Sequence, residues 1–255
     1  MLNEHPVKKW FTAFFMAWGM FCAIPCPYPH WDAGARPQML VCFPLLGLLL
    51  GAIWALAAFL LGLAGGLGLF GAAVLAALPY LLTGFIHLDG YMDCCDAILS
   101  RRDAAEKRRI LKDSHVGSFA VICFGLALLC GFSLFATGDF SGKRALALLA
   151  LPCAARCPSA LAVMSLRPME TSSYAGAFSE GVKPGHRAAV LVILCLSAAL
   201  PVLLGPWGLC GLAAALGGAL AIWWGVRQLG GMNGDVSGLG VTVGELCGLA
   251  ALALL

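Results

Sequence analysis

Six stretches of this chain, at 39–63, 69–88, 117–137, 145–165, 188–206 and 207–226, are apolar and long enough to cross a bilayer as helices. Hydrocarbon offers the backbone no hydrogen-bond partners, so such runs must satisfy their own N–H and C=O groups. They therefore predict an all-α, polytopic membrane bundle of about six or seven transmembrane helices. A last run, 241–255, is short and carries Glu245, and is expected to pack on the others without crossing fully. The composition agrees, with 61% hydrophobic and 11% charged residues, where soluble domains are about a quarter charged. No polar stretch is long enough to fold separately, so residues 1–255 read as one domain.

The start, "VKKWFTAFFMAWGMFCAIP", mimics a signal peptide but lacks a small-residue cleavage site, and Pro25, Pro27 and Pro29 follow at once. Residues 8–24 are expected to be a retained interfacial or re-entrant helix within an N-terminal segment, 1–37. "LAGGLG" predicts a tight turn between two helices. Gly47 and Gly51 form a G-x-x-x-G suited to close helix packing. The twelve cysteines contain no C-x-x-C and sit mostly in apolar runs, as small buried hydrophobes do. A net charge of +3 gives no reason to expect nucleic acid.

Basic residues set the orientation. With 89–116 placed in the cytoplasm, Lys143 and Arg144 fall outside and Arg156 lies within a span; the other thirteen of the sixteen lysines and arginines fall inside. Of the thirteen acids only Asp139 falls outside, and all five histidines lie at or near the inner face. The positive-inside rule says little about carboxylates, so acids gathered on one face suggest a site opening to the cytoplasm.

The centre of that site is "GFIHLDGYMDCCDAILS", at 84–100. If the run over 69–88 stays helical through residue 96, Asp93 and Asp96 lie about 40° and about 20° to either side of Asp89, on one stripe about 10 Å long. Carboxylates about 6 Å apart repel by on the order of 3 kcal/mol at a dielectric of 20. Burial in the membrane costs roughly 2.5–3.5 kcal/mol more per Asp. Mg²⁺ offsets both, taking hard oxygen ligands that it shares with substrate phosphates. Two alternatives stay open: a solvated helix end whose acids pair with nearby Arg and Lys, and a transported-ion site. His87 is a candidate ligand or a hydrogen-bonding neighbour of the site.

Next, "SRRDAAEKRRILKDSHVGSFA" predicts a short surface helix over 101–111, started by a capping box of Ser100 and Asp103. Its cations suit anionic headgroups or a polyphosphate substrate. Lys112, Asp113, Ser114 and His115 are expected to crowd a helix start, where N–H groups favour phosphate. Arg156, inside a span, implies an anionic partner, either substrate or a single Asp or Glu. The polar 166–187 loop is expected to cover the site. Asn233 and Asp235 suit a glycine-rich turn, and Glu245 stands out in an apolar segment.

Taken in order, "GFIHLDGYMDCCDA", "ILKDSHVGSFA", Arg156 with Ser159, and "LGGMNGDVSGLGVTVGEL" resemble the cobalamin synthase, or adenosylcobinamide-GDP ribazoletransferase, family over almost the whole chain. Ala97 stands where the family usually has glycine, Thr83-Gly84 where it often has two glycines, and "ARCPS" replaces a more glycine-rich run. The charged groups are retained. The resemblance implies joining of adenosylcobinamide-GDP with α-ribazole or its 5′-phosphate, release of GMP, and Mg²⁺ as cofactor, in the cytoplasmic membrane of a prokaryote. It implies metal binding by Asp89, Asp93 and Asp96, with His87, Lys112, Asp113 and Ser114 in the matching motifs. Asp113 or His115 is the expected proton acceptor. Lys112, Arg156 and Arg167 are candidate phosphate cations, and Ser114, Asn233, Asp235 and Glu245 candidate substrate contacts. Other classes would be a different Mg²⁺-dependent phosphotransferase or prenyltransferase, or an ion or corrinoid transporter. The lipid bilayer is the expected surroundings, and oligomeric state, a homo-oligomer included, is left open.

Overall fold

The chain was analysed as a computed structural model that describes residues 6–65, 68–170 and 173–255. Helices α1 (Pro6–Phe21), α2 (Arg36–Leu63), α3 (Gly68–Leu82), α4 (Ile86–Leu99), α5 (Ala104–Ile110) and α6 (Ser118–Thr137) form the first half. The second half comprises α7 (Gly142–Ser165), α8 (Ser173–Ser179), α9 (Pro184–Ala199), α10 (Cys210–Leu229) and α11 (Gly234–Leu254), with short 3₁₀ turns before α2 and α10. Among the described residues six helices are long and apolar enough to cross a membrane, so the all-α polytopic expectation holds. The tip of the expected "LAGGLG" turn, at 66–67, lies outside the described residues.

Burial ranks the helices. Within the spans, 72% of α7, 67% of α2 and 61% of α11 is buried, against 22% of α6 and 17% of α9. α7 is the central pillar, packed on α2, α9, α10 and α11. Its contact with α2 runs along the G-x-x-x-G. A Cβ on Gly47 would stand 2.6 Å from the Pro152 carbonyl oxygen, and one on Gly51 would overlap that of Leu149. Bare glycine lets the two backbones touch, which maximises dispersion contact where water expulsion is absent.

Two boundaries differ from the expected ones. The run at 69–88 is two helices, α3 and α4, meeting at 90°. Gly84 (φ +58°) and Phe85 (φ +65°) take left-handed conformations there, and the Phe85 N–H reaches back to the Tyr80 carbonyl at 2.9 Å. The connector after α1 docks on this corner, the Ala23 N–H donating to Leu82 O at 2.8 Å. At the other end, α11 begins at Gly234 and is long enough to cross. Its glycine-rich first half reads as a loop in sequence. In the bundle those glycines are close-contact points: a Cβ on Gly244 would meet Ala214 O at 2.8 Å.

The linker helix also starts later than expected. Asp103 rather than Ser100 is its cap, accepting from the Ala105 and Glu106 N–H groups at 3.0 Å. Ser100 instead donates to Ala97 O, because the chain reverses at Arg101 (φ +56°). The 166–187 loop does not simply cover the acidic motif. Its start pairs with the strand-like residues before α11, Met169 N–H to Met232 O and Met232 N–H to Arg167 O, both 2.9 Å. Its short helix α8 packs on α2 and α7; residues 171–172 lie outside the described residues.

Alternating helix directions bring Arg36, 82–118, 165–184 and 229–234 to one face of the bundle. Asp139, Lys143 and Arg144 sit at the other. Replacing Gly51 by Val should force α2 off α7 and lower stability by about 1–3 kcal/mol. Gly62→Val, with open space around it, should stay within about 0.5 kcal/mol. Thermal melting of the purified protein in detergent checks both, and equal melting of the two variants would contradict the packing argument.

Candidate active site

The right-angle corner turns α4 across the face of the bundle, where it lies on α11 and α6. The crossing with α11 is a glycine-to-backbone contact. A Cβ on Gly90 would be 2.8 Å from Asp235 Cα, and one on Gly238 2.6 Å from His87 O. The Thr242 hydroxyl donates to that same His87 carbonyl at 3.2 Å. This close approach sets the Asp235 carboxylate beside the aspartates of α4.

The α4 stripe is helical throughout, as expected, but its three aspartates have different surroundings. Asp89 is exposed and Asp93 half-buried. Neither has a hydrogen bond or ion pair among the described residues, and the charges of Asp89, Asp235 and Asp96 all act on Asp93. Asp96 faces α6, where its carboxylate accepts the N–H groups of Gly117 and of Ala120, the latter at 3.1 Å. It is the cap of α6, supplied from another helix. Two of the N–H groups expected to attract phosphate at that helix start are therefore already taken by Asp96.

A cavity of about 380 Å³ opens beside this group, lined by Met20, Phe21, Ile86, His87, Asp89, Asn233, Asp235 and Ser237 among others. His87 is only 6% exposed. Its ring lies near Phe21 and Phe43, with centroids 5.7 and 5.6 Å away, and its Nε2 is buried without a partner. Asn233 is the N-cap of α11, accepting from Val236 N–H at 2.9 Å while its amide donates to Asp235 at 2.6 Å. The expected glycine-rich turn is thus a helix start.

Other expected site residues lie apart from this cluster. Arg156 is 1% exposed and its guanidinium donates to Glu245 at 2.6 Å and to Pro152 O at 3.0 Å. It also lies over the Phe43 ring, 5.7 Å from the centroid. Of the two partners the sequence allowed, the structure supplies a single carboxylate, and Arg156 and Glu245 occupy each other. Arg167 pairs with Glu170 at 3.2 Å on the surface. Lys112, Asp113, Ser114 and His115 are exposed in the loop before α6 rather than at its first turn. There the His115 ring Nδ1 is 2.6 Å from Asp113 Oδ1 and the His115 N–H donates to the same oxygen at 3.0 Å. These bonds hold the Asp113 carboxyl below its usual range. The basic helix is anchored rather than free. Lys107 donates to Gln228 at 2.6 Å and Arg108 to Leu229 O at 3.4 Å, at the C-terminus of α10, where cations suit the helix dipole.

Among the described residues no three His, Cys, Asp or Glu side chains converge as a ready metal cage. The donor chemistry still suits Mg²⁺. That ion is commonly held by one or two carboxylates and completed by substrate phosphate and water; Asp89 and Asp235 are hard oxygen donors in the cavity wall, and Asp93 lies close enough to feel both charges. Sequence reasoning placed Asp235 outside the metal set. It missed Phe21, Phe43, Thr242 and the Gly90–Gly238 crossing, which come from segments far apart in the chain and carry no local signal.

Four substitutions test these assignments. Asp96→Ala should cost about 1 kcal/mol and speed hydrogen exchange at Gly117 and Ala120, whereas Asp89→Asn should leave that exchange unchanged. Glu245→Leu should destabilise by about 3–5 kcal/mol, because Arg156 is left buried and unpaired, while Arg156→Met combined with Glu245→Leu should recover most of the loss. Thermal melting of the three proteins decides it.

A family model described as cobalamin-5-phosphate synthase matches residues 13–253. Relatives named adenosylcobinamide-GDP ribazoletransferase include one from Clostridium botulinum strain Alaska E43, 35% identical over 97% of this chain and 99% of its own. One from Clostridium perfringens strain 13 is 36% identical, covering 98% and 100%. Another, from Klebsiella pneumoniae strain 342, is 34% identical over 94% and 98%. No solved structure matches the chain.

Proposed function

The chain belongs to the cobalamin-5-phosphate synthase family, and on that premise we propose how the residues at its α4–α11 crossing perform the family's reaction. The protein is an adenosylcobinamide-GDP ribazoletransferase, a multi-pass membrane transferase of the last step in cobalamin assembly. Its substrates are adenosylcobinamide-GDP and α-ribazole, or the 5′-phosphate of the latter.

The observation that carries the site assignment is a set of carboxylates with no cation paired to them among the described residues: Asp89 and Asp235 in the wall of a cavity that His87 also lines, with half-buried Asp93 beside them. Three anions alone would repel a diphosphate. Mg²⁺ bound by Asp89 and Asp93, with Asp235 beside them, would neutralise that charge and the charge developing on the departing GMP. Asp96 holds α4 and α6 in register so that the other two aspartates keep their positions. His87 and Asn233 would give substrate polar contacts on the cavity wall.

The transfer itself balances simply. A ribose 3′-hydroxyl of α-ribazole attacks the phosphorus attached to cobinamide, the new P–O bond forms, and the bond to the bridging oxygen breaks to release GMP. The hydroxyl proton goes to His115. With Asp113 ionised, His115 presents Nδ1–H to it, which leaves the Nε2 lone pair free to accept. Lys112, Ser114 and Arg167 lie on exposed segments of the same face and would meet the substrate's phosphates, whereas Arg156 is committed to Glu245. We place this face in the cytoplasm of a prokaryotic cell, since thirteen of the sixteen lysines and arginines lie on it.

Asp93→Asn should reduce GMP release from adenosylcobinamide-GDP and α-ribazole by about 100-fold or more, with the folded yield unchanged. EDTA should do the same to the parent protein and Mg²⁺ should restore it. Near-normal turnover in either case would remove Asp93 from the metal site.

A further inference from the structure

A second polar cavity, of about 390 Å³, lies elsewhere on the same face, framed by α1, the start of α2, the end of α8 and the start of α9. Lys9, Arg36, Lys183 and His186 line it, with Gln38 and Glu180. It is unlike the other apolar grooves between helices, which are lined almost wholly by aliphatic side chains. Like charges gathered around a cavity repel one another unless an anion joins them. Among the described residues no carboxylate lies within ion-pair distance of Lys9, Arg36 or Lys183. Glu180 is the one acid in the lining, and Asp32, at the α2 end, is turned back onto the Gly34 N–H at 2.8 Å.

Three further observations point to a missing acceptor. The Nε of Arg36 is buried without a partner, although its guanidinium is fixed over the Phe178 ring at 5.6 Å. The positive ends of α2 and α9 both face the cavity, adding to the cationic field. His186 accepts the Lys183 N–H at Nδ1, 3.0 Å, so its Nε2 is the protonated nitrogen. Nε2 lies 3.4 Å from the Gln38 amide nitrogen, and Gln38 Oε1 is buried and unpartnered. Turning the amide over lets Oε1 accept from His186, and leaves the Gln38 NH₂ as a donor.

We infer that this cavity is a phosphate-binding site, in which Lys9, Arg36 and Lys183 neutralise a phosphate group and Gln38 supplies a neutral donor. It is separate from the aspartate cavity. Lys9 and Phe21, which line one each, are twelve residues apart on α1, about 18 Å along the helix, too far for a single phosphate to serve both. Trp10 and Trp31, 41% and 47% exposed, stand beside it, a residue type common where a membrane protein meets lipid headgroups. The phosphate therefore comes either from an anionic headgroup or from a soluble phosphate compound.

The test uses the full chain in nanodiscs of phosphatidylcholine alone, titrated with inorganic phosphate and followed by tryptophan fluorescence. Trp10 lies 6.5 Å from the His186 ring and Trp31 6.4 Å from Phe178, so both report occupancy. The parent protein and Lys143→Gln, on the opposite face, should show the same saturable change. Arg36→Gln combined with Lys183→Gln should weaken it at least about tenfold. Should that pair fail to fold, Lys9→Gln, on the surface of α1, is read instead and should weaken it several-fold. Repeating the titration with phosphatidylglycerol in the nanodisc separates the sources. Lost phosphate affinity there assigns the site to a headgroup, and unchanged affinity to a soluble phosphate. No saturable response in the parent protein, or one that the variants leave intact, overturns the inference. Because this readout needs no turnover, its failure is distinct from failure of the transferase assignment.

Discussion

The right-angle corner at Gly84–Phe85 determines where every ionisable group of the acidic motif can stand. A straight continuation of α3 would have carried Asp89, Asp93 and Asp96 along the bundle axis at its mouth, with no neighbouring helix end to meet them. Turning at 90° lays α4 across the face, over the first turn of α11 and against the start of α6. Those helices set two different neighbours beside the stripe: N–H groups of α6 for Asp96, and a fourth carboxylate, Asp235, on α11. The corner takes two left-handed residues, and Phe85 is not glycine, so it bears roughly 1–2 kcal/mol of local strain. The bond from Phe85 N–H to Tyr80 O and the docking of Ala23 on Leu82 hold it in place.

Glycine determines how closely the layers approach. Gly47 and Gly51 seat α2 on α7, Gly244 seats α11 on α10, and Gly90 with Gly238 seats α4 on α11. The last contact also brings the backbone of Asp235 against α4, among the aspartates of the stripe. In hydrocarbon such contacts have no hydrophobic drive behind them and depend on dispersion between backbones. Tertiary packing therefore fixes the spacing of the carboxylates, and the helix propensity of any one segment does not.

Much of the bundle is legible in the sequence because a membrane span is a property of about twenty consecutive residues. The runs at 39–63, 117–137 and 145–165 appear as α2, α6 and α7 nearly as read. The corner at 83–85 is hidden because a three-residue break does not interrupt the apolar run at 69–88, and φ > 0 at Phe85 follows from contacts rather than from its identity. α11 is hidden for the opposite reason: its glycines look like a loop until other backbones are placed against them. The site divides in the same way. The spacing of Asp89, Asp93 and Asp96 gives a stripe on α4, yet no local rule reveals that Asp96 is claimed by the N–H groups of α6. Asp235 enters the cluster through a contact 145 positions away from Gly90 in the chain, which a single sequence does not encode locally.

The buried Arg156–Glu245 pair completes the electrostatic argument. An unpaired arginine at that depth would be a strong anion site, and would draw the substrate's phosphates into the bundle interior. Its guanidinium is paired with Glu245 at 2.6 Å and lies over Phe43, and Phe43 in turn packs against the ring of His87. The pair thus supports the wall of the aspartate cavity from beneath without competing for the diphosphate. The cations proposed to meet phosphate stand on the exposed face, where Lys112 is solvated and Arg167 is held only by a surface pair with Glu170. The charges of the bundle therefore divide into a paired set beneath the aspartate cavity and an exposed set on the face above it.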